Sequence, residues 1–135
     1  MQPAAFSLEN YQFDKVNIDL ENHKSKELNL SFDTKGIFNK KTKKFELIFK
    51  AAIKQSENDS PFVEIRCKGL FNFENVTKIN DIPDFFYRNS IAILFPYVRT
   101  YLSLVTTQAN VPGIILPTLN LSGLESELRR NTTQK

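Results

Sequence analysis

A chain of 135 residues can bury one core but is too short for two ordinary domains, so a single domain over residues 1–135 is expected, with residues 1–5 and 129–135 as flexible ends. Hydrophobic residues at 41% and charged residues at 24% are ordinary globular usage and exclude a disordered or fibrous chain. The net charge of +3 is local: residues 1–34 hold three Lys against six acids, whereas residues 35–54 hold seven Lys against one Glu.

The first alternating segment is Phe6, Leu8, then Tyr11, Phe13, then Val16, Ile18, Leu20. Period two with two slips of phase predicts a long strand interrupted by one or two bulges. Next comes the chain's one histidine, His23, in the polar stretch Glu21-Asn22-His23-Lys24, which we read as a solvated loop. Leu28, Leu30 and Phe32 give a second strand, and Phe45, Leu47, Phe49, Ala51 and Ile53 a third. The lysine-rich segment between them, centred on Asn39-Lys40-Lys41-Thr42-Lys43-Lys44 with Gly36 near its start, reads as a hairpin connection with a solvated tip. A polar turn, Gln55 to Pro61, leads to a fourth strand in which Val63, Ile65, Cys67, Gly69, Phe71 and Phe73 share one face, while Glu64, Arg66, Lys68 and Asn72 share the other. Cys67 is thereby a buried strand residue rather than a reactive thiol.

After Asp81-Ile82-Pro83 the period changes. Ile91, Leu94, Phe95, Val98, Leu102 and Val105 recur at three and four, with Tyr97, Tyr101 and Leu104 on the adjoining face, which predicts one long helix. Pro96 either kinks it or opens a new segment. Its apolar arc is wider than one sheet can cover, so Ile91, Leu94, Val98, Tyr101, Leu102 and Val105 are expected to meet the same helix of another subunit. Val111-Pro112-Gly113-Ile114-Ile115-Leu116-Pro117 is apolar and pinned by two prolines, hence an extended crossover loop. A short last helix follows, with Ser122 and Glu125 at capping-box spacing. The class is α+β: a four-stranded antiparallel meander, a long helix, an extended crossover loop and a short C-terminal helix.

Several chemistries have no residues to carry them. One Cys and one His exclude an intramolecular disulfide and the usual zinc ligand sets. The four glycines, Gly36, Gly69, Gly113 and Gly123, are too scattered for a phosphate-cradling loop, so neither enzyme activity nor any cofactor is expected. The lysine cluster lacks interleaved aromatics or a recognisable module, which argues against nucleic acid. No apolar run approaches a membrane span and residues 1–10 have no leader-like pattern, so the expectation is a soluble cytoplasmic chain without membrane insertion. Twelve Phe and four Tyr exceed what a small core always absorbs, so some rings should line grooves or interfaces.

Ile93-Leu94-Phe95-Pro96-Tyr97-Val98-Arg99 is similar to the I-L-F-P-Y-A-R signature of the SecB family of protein-export chaperones. The resemblance extends forward to Val111-Pro112 and Asn120-Leu121, and back through Gly69-Leu70-Phe71, Asp33-Thr34 and the Phe6-x-Leu8 opening, so it spans roughly residues 6–128. It implies a homotetramer, a dimer of dimers, whose grooves hold non-native chains without ATP. Carried onto this chain, the groove comprises Phe71, Phe73, Val111, Ile114, Ile115 and Leu116. The family's acidic first-strand surface, which docks the translocase motor SecA, corresponds to Asp14, Lys15, Asp19 and Glu21; Lys15 stands where a carboxylate is expected, and the tail from Arg129 is basic. The expected function is a holdase for unfolded polypeptides bound for export; the alternative is a SecB-like chaperone of a toxin–antitoxin system protecting one cognate antitoxin.

Overall fold

A computed structural model describes residues 5–22, 29–54, 60–111 and 122–135 of the chain. Strand β1 (Ala5–Ile18) pairs antiparallel with β4 (Val63–Glu74) and shifts register twice, between Leu8 and Asn10 and between Phe13 and Lys15. The two slips of phase in the sequence are therefore two bulges, with Glu9 and Asp14 as the extra residues. Each bulge returns the apolar side chains to one face: Phe6, Leu8, Tyr11, Phe13, Val16 and Ile18 stand opposite the odd-numbered residues of β4. The extra residues carry their carboxylates to the polar face, where Glu9 meets Lys44 at 3.0 Å and Asp14 meets Arg66 at 2.7 Å.

Strands β2 (Asn29–Asn39) and β3 (Lys44–Lys54) form the expected hairpin, but both run further than their apolar residues announce. Thr34, Gly36 and Phe38 extend the core face of β2, leaving only Lys40 to Lys43 as the turn. Gly36 is thus a strand residue; a Cβ there would collide with the Phe45 ring and the Thr132 hydroxyl. The turn is closed by Asn39, whose Oδ1 accepts hydrogen bonds from the amides of Lys41 (3.0 Å) and Thr42 (3.3 Å), and by Lys43 at φ 59°.

The sheet has five strands in the order β1-β4-β3-β2-β5 and is mixed, which corrects the four-stranded antiparallel expectation. Strand β5 (Thr132–Gln134) pairs parallel with β2 along Gly36, Ile37 and Phe38, in the stretch expected to be a flexible end. What orders it is main-chain pairing at the otherwise open edge of β2, helped by Thr132 Oγ1 donating to the Leu128 carbonyl (2.6 Å) and Asn131 Nδ2 to that of Thr34 (3.3 Å). Backbone pairing of this kind leaves no trace in a polar composition. At the other end, Ala5 already belongs to β1.

Helix α1 (Asp84–Gln108) begins directly after Pro83 and runs through Pro96 without interruption. Pro96 removes the donor for the Ala92 carbonyl, and both residues are exposed, so solvent is available to that carbonyl. The helix ends in a Schellman arrangement: Asn110 at φ 61° donates to the Thr107 carbonyl and Val111 to that of Thr106, both at 3.0 Å. Helix α2 (Ser122–Arg130) is anchored by buried Leu128 and half-buried Leu124. It is joined to the start of α1 by Arg129–Asp84 (3.0 Å) and Arg88–Glu125 (3.1 Å), with the Arg129 guanidinium 4.9 Å over the Tyr87 ring.

The core lies between the odd-numbered face of β3 and β4 and one side of α1. Gly69 lets the helix approach, since a Cβ there would stand 2.5 Å from a Leu94 methyl. At the β1-start end, Phe86 sits among Phe6, Phe45, Phe71 and Phe73 at centroid distances of 4.6–5.5 Å.

Candidate functional site

The residues expected at a subunit interface fall on the wrong side of α1. Ile91, Leu94, Val98 and Leu102 are fully buried against the chain's own sheet. Tyr101 is half-buried, its ring stacked on Phe13 at 4.1 Å, and Val105 is half-buried beside it in sequence order on the helix. The physical reason is that a sheet with one apolar face needs a helix over it, and the strongest three-and-four series on α1 satisfies that need first. The surface left over is a different stripe: Phe85, Ile93, Tyr97 and Leu104 on α1, from 36% exposed at Ile93 to 52% at Phe85 and Leu104. Tyr11 and Val16 of β1 are also exposed, and the Tyr11 ring stacks on Tyr97 at 4.2 Å, so strand and helix share one apolar surface. Single exposed apolar residues need no explanation, but an aligned series marks a contact surface.

The expected groove divides three ways. Phe71 and Phe73 are core residues enclosed by Phe6 and Phe86, so neither is open to a ligand, which corrects their assignment to a groove. Alternation places them on the inner face of β4, and β1 with α1 closes over them. Val111 is buried in the closing turn of α1. Ile114, Ile115 and Leu116 lie outside the described residues.

Of the acidic set on and after β1, Asp14 is already engaged: its carboxylate takes a two-pronged contact from Arg66 (3.0 and 2.7 Å) and a third from Lys68 at 3.4 Å. The Arg66 hydrogen bonds hold its pKa at about 2, below the ordinary 3.8, although burial opposes them. Because the folded value is the lower one, this contact stabilises the fold above pH 3.8 and loses that contribution as pH falls toward 2. Urea unfolding of the native chain and Asp14→Asn should therefore differ near neutral pH and converge at about pH 2; a difference independent of pH would refute the assignment. Lys15 and Glu21 are exposed, and Asp19 is half-buried, accepting the Glu21 amide at 3.1 Å.

The outer sheet face carries a cleft of about 650 Å³ beside α2, lined by Asp33, Lys35, Lys50, Arg66, Glu127 and Arg130 among others. Burial, followed by the neighbouring Asp33 charge, pushes the Glu127 carboxyl up. Lys50 is paired with Glu64 and Arg66 with Asp14, so half of the cleft's four cations are already neutralised. Burial likewise pushes the Cys67 thiol up to about 11, keeping it an unreactive neutral group. Among the described residues no group of His, Cys, Asp and Glu is placed to hold a metal, and no helix is long and apolar enough to cross a membrane.

The sequence pattern had marked Tyr97 and Leu104 as an adjoining face but not Phe85 or Ile93. Ile93 lies one turn before Tyr97 within the stretch already read as helix, and starting the helix after Pro83 rather than at Ile91 adds Phe85 to its exposed apolar residues.

Residues 4–131 match the family described as preprotein translocase subunit SecB. The chain is 35% identical over 117 residues to an uncharacterised protein of Methanocaldococcus jannaschii, covering 80% of this chain and 74% of that one. Its fold is similar to that of the Mycobacterium tuberculosis SecB-like chaperone Rv1957, solved with a peptide from the HigA1 antitoxin Rv1956: the TM-score is 0.64 at 14% identity, over 84% of this chain and 90% of that one.

Proposed function

Because the chain belongs to the SecB family, we propose that it is an ATP-independent holdase that captures unfolded polypeptide on apolar surface presented by a homotetramer. The observation that carries this reading is the apolar surface shared by β1 and α1, which the described residues leave uncovered. The α1 stripe of Ile93, Tyr97 and Leu104 is where a second copy packs. Clients take Ile114, Ile115 and Leu116, with buried Val111 only anchoring that segment, and the edge of β1, whose outer backbone groups have no partner strand among the described residues and accept an extended chain of any sequence. Phe71 and Phe73 have no direct part in this.

Purified protein is expected to suppress aggregation of a chemically unfolded client with no nucleotide present, and Ile115→Asp to weaken capture while leaving the oligomer intact. A nucleotide requirement, or no suppression at any stoichiometry, would sink the reading. The export branch has its own arm: with Asp14 held by Arg66 and Lys15 exposed, only Asp19 and Glu21 remain to attract SecA, so titration with the host SecA should show weak, salt-sensitive binding that rises on Lys15→Asp. No binding would favour the second reading, a dedicated chaperone of one antitoxin. That reading is supported by the fold shared with a chaperone solved with an antitoxin peptide.

A further inference from the structure

The lysines behind the net charge are gathered by the fold at one end of the sheet. Lys40, Lys41, Lys43 and Lys44 come from the β2–β3 turn. Lys135 is pinned beside them: its amide donates to the Phe38 carbonyl at 2.8 Å and its carbonyl accepts the Lys40 amide at 3.2 Å. Lys78 joins from a third segment, because the amide of the next residue, Ile79, donates to Gln134 Oε1 at 3.0 Å. Of these six, only Lys44 has an ion pair, with Glu9; Lys40, Lys41, Lys43, Lys78 and Lys135 are exposed and unpaired among the described residues.

The carboxylates nearby offset only part of this charge. Asp81 accepts hydrogen bonds from the Thr77 hydroxyl and amide at 2.9 and 3.2 Å and interacts with the Lys78 charge, and Glu46 lines a narrow cleft with Lys44 and Lys135. Glu74, at the end of β4, is the one exposed acid opposite Ala5. Asp19 and Glu21 lie at the far end, beyond the Ile18–Val63 pairing. The Asn39 hydrogen bonds fix the turn, so the lysine backbone is set in advance and only side chains must be ordered on binding. Phe85, half exposed, belongs to the same end, packed at 6.2 Å on Phe6, which pairs with Phe73 next to the Asn72–Lys44 pair.

We propose that this lysine end is a selective part of the client-binding surface, which favours unfolded segments in which aspartate and glutamate flank an apolar residue. The apolar side chain rests by Phe85 and the carboxylates are held by Lys40, Lys41, Lys43, Lys78 and Lys135. The inference rests on the holdase reading and adds a client class to it. Ammonium groups on flexible stems act as point charges and accept carboxylates in any register, which suits a client without fixed structure. A nucleic acid would need several rings interleaved with the cations for base stacking, whereas the lysine end offers the single half-exposed ring of Phe85 among the described residues, and Tyr11 and Tyr97 are stacked on each other midway along β1.

Three fluorescent peptides with one shared apolar centre, flanked by Asp and Glu, by Gln and Ser, or by Lys and Arg, test this by anisotropy at two salt concentrations. The acidic peptide is expected to bind roughly 3- to 30-fold tighter than the neutral one at low salt, with the preference shrinking as salt screens exposed charges. The triple variant Lys40→Gln, Lys41→Gln, Lys43→Asn should remove most of the preference by weakening the acidic peptide far more than the neutral one; asparagine is chosen because it tolerates the positive φ at 43. Equal affinities, a preference for the basic peptide, an unaltered preference in the triple variant, or a single-stranded oligonucleotide binding more tightly than the acidic peptide would each overturn the proposal. If no peptide of any charge binds, the holdase reading itself fails and this inference falls with it.

Discussion

Phe86→Ala is expected to destabilise the chain by about 3–5 kcal/mol, the upper range for truncating a core aromatic. Its ring is fully buried, with Phe6, Phe45, Phe71 and Phe73 all within 5.5 Å, so removing it leaves a cavity walled by rings that cannot all collapse inward. Three of these contacts are edge-to-face and add to the area burial by roughly 0.5–1.5 kcal/mol each. A domain of this size has a total stability of about 5–15 kcal/mol, so the loss is a large fraction of the whole. Phe85→Ala, one residue away but half exposed, should change chain stability by less than about 1 kcal/mol. Urea unfolding of both variants, repeated over a range of protein concentrations to separate folding from assembly, measures the contrast. A Phe86→Ala value within 1 kcal/mol of the native protein would show that the ring cluster is not the centre of the core.

What was legible in the sequence follows from which forces write themselves into side-chain order. The bulges of β1 were readable because burial of Phe6, Leu8, Tyr11, Phe13, Val16 and Ile18 on one face forces the apolar phase to slip where the backbone does. The burial of Cys67 was readable for the same reason. Strand β5 was not, because Thr132 to Gln134 contribute main-chain hydrogen bonds and little apolar area, and every polar tail offers the same groups. The extra length of β2 was hidden in Thr34, whose hydroxyl breaks the apolar alternation, and Gly36, a weak strand former, although both face the core. For the candidate site, the sequence showed that α1 is apolar over more than one face, but not which face the chain keeps for itself. That choice depends on register: Leu94 enters the space left by Gly69, and this one fit turns Leu102 inward and Leu104 outward.

That same register makes two neighbouring substitutions opposite in kind. Leu102→Asp places a carboxylate in the core with no cation near it in the surrounding apolar set, and the chain is expected to unfold, since an uncompensated buried charge costs several kcal/mol. Leu104→Asp leaves the single chain nearly untouched, because its side chain is 52% exposed there. If a second copy packs over Ile93, Tyr97 and Leu104, however, the new carboxylate loses its water on assembly, a cost that Arg99, lining the same shallow cleft as Leu104, offsets only in part, and association should weaken by about 1 kcal/mol or more. At micromolar concentration light scattering of the native protein is then expected to give four times the 15.6 kDa chain mass, and Leu104→Asp a smaller species with native far-UV circular dichroism. Leu102→Asp should instead lose the dichroism itself. A native mass of 15.6 kDa, or an unchanged mass in Leu104→Asp, would remove the stripe from the assembly and leave it free as surface for clients.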